Sequence, residues 1–188
     1  TIYKYGLTAH LSTIFSFMNY RVDNFLLNQI ILNKGVVGTY DIAVGLAEKL
    51  WIPANVLGTV IFPRIAALED DEATRRDLTP MVSRFVFWFT LFTAIAAGLL
   101  AEWGIVLLYG ADYRPSALAL RLLLPGIVML NSAKILTNDM AGRGRVDINL
   151  YLSFIAMIIN IAANLVLIPQ LSSSGASLAS SISYSIMT

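Results

Sequence analysis

Charged side chains stand inside two stretches of the sequence that are otherwise apolar enough to lie in a lipid bilayer. Arg21 and Asp23 occupy the first stretch, and Glu48 and Lys49 occupy the second. Placing a charge at the centre of a bilayer costs between about 2.5 and more than 10 kcal/mol, so such residues normally face a bundle interior or a wet cavity. The pattern is typical of a chain that moves a solute across a membrane.

The spacing of these charges predicts partners on different helices. On one helix, Arg21 and Asp23 point about 200° apart and Glu48 and Lys49 about 100° apart, so neither couple pairs within itself. Each of the four charges gains a partner if Arg21 pairs with Glu48 and Asp23 pairs with Lys49. Two interpretations stay open: an ion-pair lock between the first two helices, or a cationic patch of Arg21, Lys49 and Lys134 for an anionic head group.

The second interpretation predicts a substrate site built from charged and amide side chains. Its substrate-binding residues would be Arg21, Lys49, Lys134, Asn55 and Asn138. Its ion-coupling residues or counter-ions would be Asp23, Asp41, Glu48 and Asp139. For the amides that share a helix face further on, Asn149, Asn160 and Asn164, the alternative is interhelical hydrogen bonding, worth about 0.6 kcal/mol each.

Composition excludes several classes of protein. Hydrophobic residues make up 57% of the 188 residues and charged residues 13%, against about 25% charged residues in an ordinary soluble domain. A net charge of +1 leaves no basic face for nucleic acid. The absence of cysteine and the single histidine, His10, offer no thiolate or histidine metal cluster and no catalytic triad. We therefore expect no metal, no cofactor, no nucleic-acid partner and no enzyme.

Hydrophobic stretches of about 20 residues predict the helices that must position these side chains. The expected fold is an all-α polytopic membrane protein with five complete transmembrane helices and part of a sixth. The complete spans cover residues 7–32, 36–62, 81–101, 117–141 and 148–168. Pro53 is expected to kink the second span.

The sequence divides into three expected units. Residues 1–63 hold the first two transmembrane helices, residues 64–80 form a cytoplasmic connector with a short interfacial helix, and residues 81–188 form the remaining domain, truncated in its last helix. Lys and Arg are concentrated on alternate connectors, which places the loop that follows the second span in the cytoplasm. The start at Thr1 and a last apolar segment too short to cross a bilayer predict a fragment cut at both ends.

Short motifs occur in a fixed order along nearly the whole chain. They are Asn19-Tyr20-Arg21-Val22-Asp23, Ala43-Val44-Gly45-Leu46-Ala47-Glu48, Ile61-Phe62-Pro63-Arg64, Leu124-Pro125-Gly126-Ile127 and Ala141-Gly142-Arg143-Gly144-Arg145. Together they resemble the C-terminal half of the polysaccharide-biosynthesis flippases in the multidrug/oligosaccharidyl-lipid/polysaccharide exporter superfamily.

The resemblance implies half of a bundle of twelve or more helices, arranged as two six-helix halves around a central cavity. It implies flipping of undecaprenyl-pyrophosphate-linked oligosaccharide repeat units across the bacterial inner membrane by alternating access, for surface polysaccharide biosynthesis. The implied partners are the lipid-linked glycan, the phospholipid bilayer and a missing N-terminal half of the same protein.

Three alternatives stay open beside this function. A lipid II flippase and a cation-coupled multidrug antiporter belong to the same superfamily. A membrane-embedded glycan polymerase would be an enzyme of a different class. The polymerase would be expected to carry a large outer loop, whereas the longest outer connector, residues 104–115, is short.

Overall fold

The described part of the chain is helical throughout. The computed structural model describes residues 2–52, 55–56, 59–60 and 72–188, and only the backbone of residues 2, 4 and 72–78. Its regular elements are α1 (Ile2–Ile30), α2 (Lys34–Lys49), α3 (Glu72–Tyr109), a 3₁₀ turn (Ala111–Tyr113), α4 (Ser116–Gly142), α5 (Val146–Leu171) and α6 (Ser173–Ile186). Within these residues no strand occurs, which confirms the all-α fold class for them.

In the part of the chain that the structure describes, three helices are long and apolar enough to cross a membrane. They are Thr79–Tyr109 within α3, Ser116–Gly142 and Val146–Leu171. They correspond to the predicted third, fourth and fifth spans. The helix α1 has 29 residues and extends about 43 Å, but its polar and charged side chains keep it outside this group. The expected number of five complete spans therefore stays a prediction.

Helix α2 ends within the second predicted span, and Pro53, where a kink is expected, lies outside the described residues. Helix α2 ends at Lys49, and the backbone N–H groups of Leu50 and Trp51 each donate to the carbonyl three residues earlier, at 3.0 Å. A proline ring clashes with the carbonyl four residues before it, and Lys49 stands four residues before Pro53. Helical structure resumes by Asn55, whose N–H donates to the Trp51 carbonyl at 2.9 Å.

The side chain of Asn131 in α4 forms a hydrogen bond with the backbone where α2 ends. The amide of Asn131, which is fully buried, donates to the Leu50 carbonyl at 2.8 Å and to the Thr90 hydroxyl of α3 at 3.2 Å. A carbonyl at a helix end has lost its partner in the helix, and a buried carbonyl without a donor is costly. Asn131 thus joins the end of α2 to α3 and α4.

The helix that contains the third span begins before that span. Helix α3 begins at Glu72 and continues through Pro80, so the last residues of the expected connector, 72–80, are helical. Its membrane-compatible part begins at Thr79, two residues from the expected start at Met81. Residues 61–71, which include the rest of the expected cytoplasmic connector and Arg64, lie outside the described residues.

Helix α4 lies at the centre of the bundle. In its apolar window 72% of the residues are buried, compared with 17% in α3 and 33% in α5. It packs against α2, α3 and α6, while α5 packs against α1 and α6. Gly126 permits a close approach of α6 to α4, because a Cβ there would lie 2.5 Å from the Cα of Ser181 in α6.

Candidate functional site

An ion pair joins α1 to α2 at the surface of the bundle. Nη2 of Arg21 lies 3.4 Å from Oε1 of Glu48, which confirms the first predicted cross-pair. The side chains are 51% and 27% exposed, respectively. An exposed pair contributes about 0–1 kcal/mol to stability, so this geometry leaves the guanidinium largely accessible to a ligand.

Lys134 of α4 lies next to this ion pair. Its Nζ donates to Oδ1 of Asn55 at 3.1 Å and lies 4.1 Å from the centre of the Trp51 ring. The Glu48 carboxylate is close enough to interact with it electrostatically. Arg21, Glu48 and Lys134 therefore form one group, here termed the charged cluster, with two positive charges and one negative charge.

A polar groove of about 210 Å³ extends from Lys134 between α1, α4 and α5. Most of its lining residues carry hydroxyls or amides, namely Ser12, Thr13, Ser16, Tyr20, Thr137, Asn138, Asn149 and Ser153. The Ser16 and Ser153 hydroxyls are 2.8 Å apart, and the Asn149 amide donates to the Thr137 carbonyl at 2.8 Å. The groove therefore offers small neutral hydrogen-bonding groups next to a net positive charge.

Asp23 does not join the charged cluster. Its side chain is 2% exposed and accepts hydrogen bonds from Tyr40 Oη at 2.5 Å, Ser180 Oγ at 2.7 Å and the backbone N–H of Asn24 at 2.8 Å. The predicted pair of Asp23 with Lys49 is wrong, because these donors from three helices satisfy the buried carboxylate while Lys49 lies on the exposed face of α2. Asp23 lies instead at the junction of α1, α2 and α6.

The other predicted acids also lie apart from the cluster. Asp139 is 3% exposed and pairs with Arg143 one helical turn later, where Oδ2 and Nε are 2.8 Å apart. Asp41 is exposed on α2, and no described residue forms an ion pair with it or with Lys49. A role in ion coupling for Asp23, Asp41 and Asp139 stays a prediction.

Four of the five predicted substrate residues lie at the charged cluster or along the polar groove, and the fifth, Lys49, does not. The structure brings Arg21, Lys134 and Asn55 together around Glu48, and it places Asn138 further along the polar groove. It leaves Lys49 on the surface of α2. Among the described residues, no group of three or more His, Asp or Glu side chains is arranged to hold a metal ion.

The amides of α5 divide between the groove and the core. Asn160 and Asn164 are fully buried, and Asn160 donates to the carbonyl and to Oδ1 of Asn19 in α1, at 2.8 and 2.9 Å. Ser183 of α6 donates to the same Oδ1 at 2.8 Å. This network fits the interhelical alternative for these amides, whereas Asn149 lines the groove.

Sequence reasoning missed the α1 wall of the groove and Trp51. Ser12 and Ser16 are one helical turn apart, and a further turn leads to Tyr20, so a polar face with a four-residue period was the available signal. Hydroxyl residues are common in membrane helices, which makes that signal weak. Trp51 carried no signal of its own, since its contact with Lys134 depends on how α2 packs against α4.

Comparison with known proteins adds one finding. Residues 2–188 match the sequence model of the family described as "Lipid II flippase MurJ". No curated protein matches the chain, and no solved structure matches it.

Proposed function

The chain belongs to the lipid II flippase MurJ family, and from this premise we propose that it moves lipid II, an undecaprenyl-pyrophosphate-linked glycan, across the bacterial inner membrane. The family lies in the same exporter superfamily as the flippases that the sequence motifs resemble. Membership supports a transporter and not an enzyme. Between the two glycan substrates expected from the sequence, it favours lipid II over an oligosaccharide repeat unit.

The observation that carries this proposal is the charged cluster at the end of the polar groove. A pyrophosphate requires positive charge in an apolar bundle, and a guanidinium can hold two of its oxygens at once. Arg21 is half-exposed, and Lys134 lies near it because both cations interact with Glu48. Glu48 offsets one of the two positive charges, and an arriving pyrophosphate would compete with that carboxylate for the cations.

We further propose that the sugars bind along the polar groove. Its hydroxyl and amide groups, among them Ser16 and Asn138, are suited to neutral sugar hydroxyls. Its volume of about 210 Å³ is below the about 300–1,000 Å³ of typical ligand pockets, so a glycan head group needs more space than this groove encloses. In our proposal these helices form one wall of the cavity, and a second set of helices forms the opposite wall.

The interruption of α2 gives this arrangement a point at which it can bend. Discontinuous helices near the middle of a membrane are frequent in the binding sites of transporters. Here the helix ends at Lys49, directly after Glu48 of the charged cluster. We propose that α2 changes its angle relative to α4 at Leu50 and Trp51 during alternating access, and that this motion opens or closes the groove.

Reconstitution tests the substrate and the site together. The intact protein is placed in vesicles that contain fluorescent lipid II, a fluorescent repeat-unit lipid or a cationic dye, and movement between leaflets is measured. We expect movement of lipid II. We also expect its loss in Arg21→Gln and its retention in Arg145→Gln, which removes an exposed arginine paired with Asp147 outside the site.

Each of the other substrates points to a different function. Movement of the repeat-unit lipid without lipid II would assign the chain to polysaccharide export. Movement of the dye driven by an ion gradient would assign it to drug antiport. Equal movement of lipid II by wild type and Arg21→Gln would remove the charged cluster from the substrate site.

A further inference from the structure

An apolar groove lies on the opposite side of α4 from the polar groove. It has a volume of about 590 Å³ and is bounded by α3 and α4, with Ile95 and Leu99 on one wall and Pro125 and Met129 on the other. The α4 residues that line the apolar groove lie on the opposite face of the helix from those that line the polar groove. Pro125 and Lys134, for example, are nine positions apart, which corresponds to about 180° around a helix. The two grooves therefore do not share an opening.

A single arginine marks one end of this apolar groove. Nε of Arg121 donates to the carbonyl of Gly98 in α3 at 2.8 Å, and the side chain is exposed. The adjoining cleft contains Glu102, but that carboxylate is already paired with Arg114. No described residue forms an ion pair with Arg121. Glu102, Arg114 and Arg121 together carry a net charge of +1, and the exposed Asp112, which follows Ala111 of the cleft, forms no ion pair with Arg121.

Exposed aromatic residues indicate the depth of Arg121 relative to the membrane interface. Trp103, Tyr109 and Tyr113 are exposed near the same end of α3, and exposed Trp and Tyr side chains concentrate at membrane interfaces. The carbonyl that Arg121 contacts belongs to a residue five positions before Trp103, which is about 7.5 Å along the helix. Arg121 is therefore positioned just below the interface, where lipid phosphate groups are within reach of a long side chain.

We propose that this groove binds an anionic phospholipid of the surrounding bilayer, with its phosphate at Arg121 and one acyl chain along the α3–α4 groove. The charge supplies the reason for choosing this occupant, because an anion at the same depth stabilises an arginine that lies beside hydrocarbon without an ion-pair partner. The apolar part runs from Phe87 to Leu99, about 18 Å of helix, which suits a linear hydrocarbon chain. This site is separate from the transport pathway and does not depend on the proposed function.

Lipid binding to the intact protein in detergent tests this proposal. Native mass spectrometry measures the binding of phosphatidylglycerol and of phosphatidylcholine. One favourable charge near a membrane surface is worth about 1 kcal/mol, so we expect about fivefold tighter binding of the anionic lipid. Arg121→Gln should remove this preference, while Arg121→Lys should retain most of it and Arg145→Gln should leave it unchanged.

A second variant tests the groove itself. Ile95 is 51% exposed and lines the groove, so Ile95→Trp fills the space without changing the core and should weaken the binding of both lipids. A photoreactive phosphatidylglycerol should label residues 87–99 and 121–129 in the wild type.

Four results would overturn the proposal. They are a preference that survives Arg121→Gln, a binding affinity unaffected by Ile95→Trp, displacement of phosphatidylglycerol from these residues by undecaprenyl phosphate, and a protein dimer that Ile95→Trp dissociates. The third would assign the groove to the substrate tail, and the fourth to a second copy of the chain.

Discussion

At the scale of single residues, the exposure of Arg21 distinguishes the two interpretations of its pair with Glu48. A structural lock requires both groups to be buried, because breaking a buried pair leaves a stranded charge at a cost of about 3–5 kcal/mol. Here the arginine side chain is 51% exposed. The geometry therefore favours a binding role for the guanidinium.

We predict that Arg21→Ala reduces lipid II flipping about tenfold to a hundredfold while its membrane abundance stays near that of the wild type. The loss corresponds to about 1.5–3 kcal/mol for a hydrogen bond to a charged group. Flipping and abundance are measured for Arg21→Ala, Glu48→Ala and the double variant, with Arg145→Ala as the control. Low abundance in both single variants with recovery in the double variant would instead establish a structural lock.

Tyr40 presents the opposite case, a polar side chain that is fully buried. Its hydroxyl donates to Asp23 at 2.5 Å. We predict that Tyr40→Phe lowers the free energy of unfolding by about 1.5–3 kcal/mol, because a buried carboxylate loses one of its donors without a change in shape. Chemical unfolding of the intact protein in detergent measures this difference.

Tyr151→Phe is the matched control for this measurement. Tyr151 is 66% exposed, so the same chemical change there is expected to alter the free energy of unfolding by less than about 0.5 kcal/mol. Equal effects of the two substitutions would show that the hydroxyl of Tyr40 does not stabilise the α1–α2–α6 junction.

At the scale of helices, the packing of α6 against α4 depends on a missing side chain. Gly126→Ala would place a Cβ 2.5 Å from the Cα of Ser181, and backbone atoms cannot rotate away. We predict a loss of about 1–3 kcal/mol, the usual cost of overpacking. The unfolding midpoint in detergent, followed by circular dichroism, measures it.

Gly104→Ala provides the comparison within α3. No heavy atom lies within 4 Å of a Cβ built at Gly104. Since alanine favours a helix over glycine by about 0.5–1 kcal/mol, this variant is expected to be as stable as the wild type or slightly more stable. A Gly126→Ala protein with an unchanged midpoint would mean that α4 and α6 separate easily.

Particular helices show how far sequence reasoning extends. Continuous apolar runs identified α3, α4 and α5, because a bilayer requires about 20 such residues whatever their partners are. Arg21 and Glu48 were identified as a pair because neither could pair with the opposite charge beside it on its own helix.

The partners of Asp23 could not be identified in the same way. Ser180 is 157 positions away and is an ordinary residue in a membrane helix, so only the packing of α6 reveals the contact. The end of α2 at Lys49 also escaped prediction. A proline indicates that a helix is disturbed, but tertiary contacts such as that of Asn131 decide whether the helix bends or stops.

At the scale of the whole molecule, the two ends of α4 are expected to face opposite sides of the membrane. The 3₁₀ turn Ala111–Tyr113 precedes this helix, and Arg145 follows it. The distribution of Lys and Arg predicts that the Arg145 end lies in the cytoplasm. The chain has no cysteine, so a single introduced thiol reports its own position.

We predict that Asp112→Cys reacts with a membrane-impermeant thiol reagent in intact cells and that Arg145→Cys reacts only after permeabilisation. Asp112 and Arg145 are both exposed, which makes the two thiols comparable in reactivity. Labelling of both positions in intact cells would show that α4 does not span the membrane. The reverse pattern would invert the orientation of the bundle.

The contact of Asn131 with two other helices limits how position 131 can change during evolution. Both amide protons are committed, one to the Leu50 carbonyl and one to the Thr90 hydroxyl, in a place with no solvent. Aspartate has no proton to donate there when ionised, leucine has none at all, and glutamine is one methylene too long for the same space. Substitutions in related sequences should therefore be rare at this position, whereas exposed positions outside the family motifs, such as 151, should vary freely.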